Sequence, residues 1–237
     1  MSRFDDQPIH RYSTAGVAVD EGLRRFMLGV YNYMALGLGL TGLISYFLIA
    51  NPAIMMSLYS SGISTVFMFA PLVIGLVFGF RINKMEASTA QLLFWLYAAT
   101  MGVSLSFFLI GFTTVSVARI FFLTAGVFGS MSLYGYTTKK DLTSMGSFLY
   151  MGVWGIFLAG IVNLFMQSSA IQFALSVLGV IIFTGLTAYD TQQIKEIYYS
   201  SDSQEVATKK TVLGALHLYI DFIQIFVRLL YLFGDRR

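Results

Sequence analysis

The sequence predicts an all-α integral membrane protein, a bundle of seven transmembrane helices, and three observations support that class. Hydrophobic residues make up 57% of the chain and charged residues only 11%, with a mean hydropathy of +0.72. Soluble domains carry roughly 25% charged residues. The apolar residues form long runs without amphipathic spacing, as expected of helices surrounded by lipid. Positive charges fall between alternate runs, which is the pattern that orients membrane helices.

Seven apolar runs approach the length needed to cross the hydrocarbon core, for which about 20 residues suffice. The predicted spans cover residues 26–50, 62–80, 91–110, 120–136, 145–166, 171–189 and 212–233. A loop is expected to open at Asn51–Pro52, after the first span. The last span is expected to have the weakest hydropathy of the seven, because it contains His217, Asp221 and Arg228.

The distribution of cations predicts a cytoplasmic N-terminus. The expected inner segments hold Arg3, Arg11, Arg24, Arg25, Arg81, Lys84, Lys139, Lys140, Lys195, Lys209 and Lys210. The exceptions are Arg228, Arg236 and Arg237, which would lie near or beyond the outer face. A re-entrant hairpin would return that tail to the inside. However, residues 212–233 match the length of one crossing and contain no turn signal, so seven complete crossings are favoured.

Two regions are predicted: a polar cytoplasmic leader, residues 1–25, and a seven-helix membrane domain, residues 26–237. The leader lacks the apolar core of a signal peptide, and a bacterial inner membrane is the expected location of this multi-pass protein. The chain has no cysteine, which excludes disulfides and cysteine metal sites. Its net charge of +3 forms no basic face, so the lipid bilayer and not nucleic acid is the expected partner.

Two aspartates lie within predicted spans, where a charged group is costly and usually paired or functional. Asp190 precedes the interface residue Lys195 by about 7.5 Å of helix, and Asp221 follows Lys210 by about 16 Å. The sixth and seventh spans are antiparallel and joined on the inner side, so both carboxylates fall in the inner half of the membrane. Two carboxylates that share a low-dielectric site cannot both ionise cheaply, so such a pair responds to protons.

Each candidate residue also has a plainer interpretation. Asp190 could be an interface carboxylate, and Asp221 could form a structural pair with Arg228 or His217 on the same helix face. Arg81, at the inner end of the second span, is the best-placed partner for the aspartates, yet a positive-inside anchor is the simpler interpretation. His217 is expected to be a satisfied residue of the bundle interior rather than a metal ligand.

Three stretches resemble the Bax inhibitor-1 (transmembrane Bax inhibitor motif) family. They are GLTAYDTQQIK around Asp190, LHLYIDFIQIFVRLLYLFG around Asp221, and TTKKDLTSMGSF before the fifth span. The similarity extends over residues 25–234. It implies that six helices surround a central seventh and that the protein is a pH-sensitive calcium leak. It also implies that Asp190 and Asp221 form the pH sensor and gate, with Arg81 as the latch. Two carboxylates and waters would bind calcium weakly and transiently, as passage requires.

Two departures from the family bear on this interpretation. His217 stands at a position where small or polar residues are common in the family. Ala70 leaves the second span without a carboxylate on the calcium pathway. We therefore expect His217, together with Arg228, to modulate the pH response. Nucleotide, haem and zinc motifs are missing from the sequence, so neither enzyme activity nor a cofactor is expected; calcium or protons are the permeating or sensed ions.

Other functions remain open at this point. An intramembrane aspartyl protease also uses two aspartates, but its Gly-x-Gly-Asp and Pro-Ala-Leu motifs are absent from the sequence. A non-conducting interaction protein could modulate other membrane proteins or proteases with the same fold, using the leader as its contact arm. A proton-coupled transporter is less favoured, because no broken helices in matching halves indicate a substrate site.

Overall fold

The computed structural model describes the backbone of residues 9–237 and the side chains from Glu21 onward, apart from Asn83. These residues form the helices α1 (Ile9–Ala50), α2 (Pro52–Ser60), α3 (Ile63–Arg81), α4 (Ala87–Leu109), α5 (Thr114–Thr137), α6 (Thr143–Met166), α7 (Ser169–Glu196) and α8 (Gln204–Phe233). Residues 1–8 of the predicted leader lie outside the described residues. From Ile9 the leader's backbone continues as the beginning of α1.

Seven of these helices are long and apolar enough to cross a membrane, which confirms the predicted all-helical class and the number of spans. They are α1 from Glu21 onward and α3 to α8. The last span is one uninterrupted helix of 30 residues rather than a re-entrant hairpin. At 1.5 Å per residue it is about 45 Å long, enough to cross the bilayer. The expectation that this span has the weakest hydropathy is wrong, because its many aliphatic residues outweigh His217, Asp221 and Arg228 and leave α5 slightly less hydrophobic.

The helix α2 corrects the expectation of a loop at Asn51–Pro52. Pro52 is the first residue of this nine-residue helix. Proline suits that position because its φ is already helical and its missing N–H would have no partner there. The proline that suggested a chain break therefore begins a short helix between the first two spans.

The bundle has two ends, the N-side and the C-side. The N-side is the end where the spanning part of α1 begins, and it includes the α3–α4, α5–α6 and α7–α8 connections. The C-side is the end where α8 finishes, and it includes α2, the α4–α5 and α6–α7 connections, and residues 234–237.

The last helix is central, as the family resemblance implied. α8 packs against α1, α4, α5 and α7. In its most apolar segment 67% of the residues are buried, against 17–44% in the other spans. The structure differs from the expected ring of six in one respect, because α3 packs mainly against α4 and α6 mainly against α7. These two flanking helices leave part of α8 uncovered.

The C-side is closed by the tail that follows α8. Residues 234–237 run antiparallel to the α4–α5 connection, where Thr113 N donates to the Asp235 carbonyl (3.0 Å) and Arg237 N to the Gly111 carbonyl (3.0 Å). Asp235 N also donates to Ser116 Oγ (2.8 Å). The tail is thus fixed to the same end of the bundle as the beginning of α5.

Candidate functional site

Asp190 and Asp221 lie on the facing surfaces of α7 and α8, which pack against each other closely. Both side chains are buried, with exposed fractions of 5% and 3%. The contacts of Gly214 with Ile194 and of Gly179 with Arg228 set the register of the two helices, and this register places Asp190 and Asp221 about one helical turn apart along the pair. Antiparallel helices joined on the N-side therefore bring together two carboxyl groups that are far apart in sequence.

The hydrogen bonds of the two aspartates differ. Tyr150, on α6, donates from its hydroxyl to Asp190 Oδ1 at 3.1 Å. The Oδ2 atom of Asp221 is buried and has no hydrogen-bond partner in the described part of the chain. A buried polar atom left unpaired costs about 1–3 kcal/mol. This oxygen is therefore a place where a proton or a water molecule would be stabilised.

A chain of hydroxyl groups lies beside Asp190. The Tyr31 hydroxyl on α1 is 2.6 Å from Ser132 Oγ on α5, and Ser132 Oγ is 3.0 Å from Thr191 Oγ1. Thr191, the neighbour of Asp190, also donates to the Thr187 carbonyl at 2.7 Å. These bonds connect α1, α5 and α7 at the depth of the aspartate.

The α5–α6 connection is fixed to α7 just beyond Asp190. Gln192 Oε1 accepts from Leu142 N at 2.9 Å, and Gln192 Nε2 donates to the Lys140 carbonyl at 2.8 Å. The exposed Asp141 in the same connection accepts from Thr143 N at 2.8 Å. Hydrogen bonds from Thr143 hold the pKa of Asp141 below its usual value. This connection covers the N-side of the aspartate pair.

Arg81 lies apart from the aspartates. It is exposed at the end of α3, and it forms no ion pair with either aspartate within the described region. The reason is its helix: α3 packs mainly against α4, whereas the aspartates lie between α7 and α8. The latch role of Arg81 stays a prediction.

The expectation that His217 lies in the bundle interior is wrong. His217 is exposed, because the four helices that cover α8 leave one strip of its surface open. The exposed His217 and the half-buried Gln224 and Arg228 lie along this strip. Their spacing places them on the same helix face as Asp221, whose side chain is buried.

Arg228 lies on the C-side part of this strip, two helical turns from Asp221. Its side chain packs against α7 at Gly179, where a Cβ atom would lie 3.0 Å from Arg228 Nε. That Nε is buried without a hydrogen-bond partner among the side chains described here. Neither Arg228 nor His217 forms a hydrogen bond or ion pair with Asp221 in the described structure, so the simple structural pair considered from the sequence is not present.

Sequence reasoning missed Tyr150 and Gln192. Tyr150 is 40 residues from Asp190 and on another helix, so no local pattern could have indicated the contact. Gln192 had a signal, since a glutamine two residues after a buried aspartate must find partners of its own. No group of three or more potential metal ligands occurs in the described residues. Weak calcium binding by Asp190 and Asp221 stays a prediction.

Comparisons with known proteins agree on one family. The model of the family described as inhibitor of apoptosis-promoting Bax1 matches residues 23–237. The protein RP147 of Rickettsia prowazekii is 49% identical over 218 residues, 92% of each chain. A protein of Caulobacter vibrioides is 46% identical over 233 residues, 94% of this chain and 93% of the relative. The inner membrane protein YbhL of Escherichia coli K12 is 42% identical over 219 residues, 91% of this chain and 94% of YbhL.

Proposed function

Because the chain belongs to the Bax inhibitor-1 family, we propose that it is a pH-sensitive calcium leak, a channel rather than an enzyme, gated by Asp190 and Asp221. One observation supports this most directly: two buried carboxyl groups lie about one helical turn apart on packed membrane helices, and one of their oxygens has no partner among the described residues. Ionisable groups at membrane depth typically mark ion or proton pathways.

The proposed gate works through a proton shared by the two carboxyl groups. With one proton between them, the aspartates attract each other and hold α7 against α8. Loss of that proton leaves two like charges in a low-dielectric site, which is costly unless a cation neutralises them. Gain of a second proton removes the charge that would attract calcium. The leak therefore depends on pH in the range where the pair exchanges its proton.

Arg81 is proposed to latch this gate in a second arrangement of α3. A guanidinium near the pair would stabilise the doubly ionised aspartates and displace calcium. The position of α3 supports such movement, since it is a flanking helix with most of its packing on α4. In this proposal, the arrangement with Arg81 exposed is the unlatched one.

His217 and Arg228 are proposed to modulate the leak from the uncovered strip of α8. A positive charge at His217, one helical turn before Asp221, would favour the ionised carboxylates of the pair. Arg228 would repel cations between the C-side and the aspartates. Both effects change the size and pH dependence of the flux without being its cause.

The proposed location is a bacterial inner membrane with the N-side in the cytoplasm. The name of YbhL, an inner membrane protein, supports this location. The orientation rests on the cations near the N-side: Arg24, Arg25, Arg81, Lys84, Lys139, Lys140, Lys195, Lys209 and Lys210. Proposed partners are the bilayer itself, calcium and protons.

Calcium flux into liposomes that contain the purified protein tests the proposal. Wild type should leak calcium with a rate that changes across roughly pH 6–8, where a coupled carboxyl pair can exchange its proton. The Asp190→Asn/Asp221→Asn variant should lose that pH response, because neither amide titrates.

A matched control is Glu86→Gln/Asp141→Asn, which removes two carboxylates that are exposed on the N-side. It should keep both the flux and its pH response. Absence of flux above empty liposomes at every pH, from protein shown to be folded, contradicts the channel proposal. That result would make a non-conducting interaction protein the better account. In that case, loss of the protein's effect on other membrane proteins after deletion of residues 1–22 would support the interaction protein.

A further inference from the structure

α1 and α5 both pack against α8 but scarcely touch each other. The bond between the Tyr31 hydroxyl and Ser132 Oγ (2.6 Å) joins them near the N-side. From that bond towards the C-side, a groove runs between the two helices. Gly39 and Gly42 of α1 face this groove, and a Cβ atom on either would meet no described atom within 4 Å. The groove is thus open to the hydrocarbon core of the membrane.

The groove deepens near the C-side into a cavity of about 420 Å³ between α1, α4, α5 and α8. Cavities of roughly 300–1,000 Å³ are the usual size of small-molecule sites. Phe222 and Phe226 of α8 form its floor. Its two inner hydroxyl groups are already engaged, since Thr41 donates to the Ala98 carbonyl (2.8 Å) and Ser45 to the Gly102 carbonyl (2.7 Å). The cavity therefore accepts an apolar chain and offers its occupant little hydrogen bonding.

The lining of this cavity includes one cationic residue, at its rim. Arg237 lines it and is exposed, with one long hydrogen bond from its guanidinium to Thr114 Oγ1 (3.4 Å). No acidic residue of the described chain forms an ion pair with Arg237. The nearby Asp235 is already paired with Arg119 at 3.1 Å. An arginine with unused donors at the depth of the lipid head groups suits a phosphate.

We propose that this cavity binds one anionic phospholipid of the C-side leaflet, with an acyl chain on Phe222 and Phe226 and its phosphate on Arg237. The apolar cavity selects the chain and the unpaired guanidinium selects the head group. Phe222 directly follows Asp221, so the lipid contacts the central helix next to the aspartate pair. The proposal does not depend on whether the protein conducts calcium.

Native mass spectrometry of the full-length protein tests the site. The purified protein is mixed with phosphatidylglycerol or with phosphatidylethanolamine of the same chain length, and the retained lipid is counted. Wild type should retain one phosphatidylglycerol, with a preference on the order of tenfold over phosphatidylethanolamine, because the ammonium group of the latter offsets the phosphate charge that attracts Arg237. Arg237→Gln should abolish this preference while leaving the fold unchanged.

Gly42→Trp should abolish retention itself, because the indole would fill the groove. The matched control is Gly155→Trp on the lipid-facing surface of α6, where a Cβ atom also meets open space within the described structure; it should retain the lipid. Equal retention of both lipids by wild type, or retention by Gly42→Trp at the wild-type level, overturns the proposal. A protein dimer that Gly42→Trp abolishes would also overturn it and make the groove a self-association surface.

Discussion

At the scale of single residues, the two buried aspartates differ in what surrounds them. Asp190 accepts a hydrogen bond from Tyr150, whereas one oxygen of Asp221 has no partner in the described region. A donated hydrogen bond stabilises a carboxylate over a carboxylic acid. In the proposed gate, the shared proton therefore resides more often on Asp221, and Tyr150 helps to set the pH at which that proton is exchanged.

Tyr150→Phe tests this role. The substitution removes the hydroxyl donor and keeps the aromatic ring that packs edge-on against Tyr189 at 6.0 Å. Since the lost bond favoured ionised Asp190, the midpoint of the calcium-flux response should move to higher pH. A hydrogen bond to a charged group is worth about 1.5–3 kcal/mol, so the movement should be on the order of one pH unit.

The control for this measurement is Tyr134→Phe. Tyr134 on α5 is 44% exposed, close to the 43% of Tyr150, and its hydroxyl has no hydrogen bond to the described residues. The midpoint of that variant should equal that of the wild type. A midpoint for Tyr150→Phe that does not move would show that the tyrosine only packs against α7.

The sequence identified both aspartates because their cost at membrane depth makes them conspicuous. Their surroundings were not predictable to the same degree. Tyr150 reaches Asp190 from another helix, a contact that no local spacing encodes. His217 was placed wrongly, because helical spacing states which residues share a face and not whether a neighbouring helix covers it. That coverage depends on α3 and α6, which stand at the flanks of the bundle.

At the scale of helices, small residues set the closest approaches. A Cβ atom on Gly102 of α4 would lie 2.9 Å from the Thr41 carbonyl oxygen of α1. A Cβ atom on Gly135 of α5 would overlap the backbone of Ala188 on α7. Membrane helices gain stability from such close packing, because lipid provides no hydrophobic force between them. The α5–α7 approach also holds the segment that carries Asp190.

Gly135→Ala should therefore destabilise the protein. Neither backbone can yield without moving a whole helix, and overpacking of this kind costs about 1–3 kcal/mol. The measurement is the free energy of unfolding in a denaturing detergent. Gly129→Ala on the same helix is the control, since a Cβ there would meet no described atom within 4 Å. Equal stability of the two variants would contradict the account of α5–α7 packing.

The seven spans were predictable because each requires a long apolar run, whereas the helix ends were not. α7 continues beyond the predicted end at Tyr189 to Glu196, and α8 begins at Gln204 rather than at Val212. The added turns are polar, so hydropathy does not detect them, although their residues are compatible with helix. The antiparallel contact between the tail and the α4–α5 connection also escaped prediction, because it pairs segments far apart in sequence.

At the scale of the whole molecule, the charges of the two ends follow from the topology. The N-side contains nearly all the cations of the described connections, and the C-side contains Arg119 and the tail. The C-side cations have roles in the structure that account for their position. Arg119 pairs with Asp235, and Arg236 lies over the Tyr231 ring at 5.3 Å. The tail is therefore compatible with a cytoplasmic N-side, despite the positive-inside tendency.

This orientation can be measured without a background signal, because the chain has no cysteine. Ser60→Cys places a thiol at the exposed end of α2 on the C-side, and Ser201→Cys places one in the exposed α7–α8 connection on the N-side. In intact spheroplasts, a membrane-impermeant maleimide should label the first variant and leave the second unlabelled. After lysis both should be labelled, which shows that each thiol is reactive. Labelling of Ser201→Cys alone in intact spheroplasts would reverse the orientation. It would put Arg237 and its cavity on the cytoplasmic leaflet, and the aspartate pair nearer the outer solution.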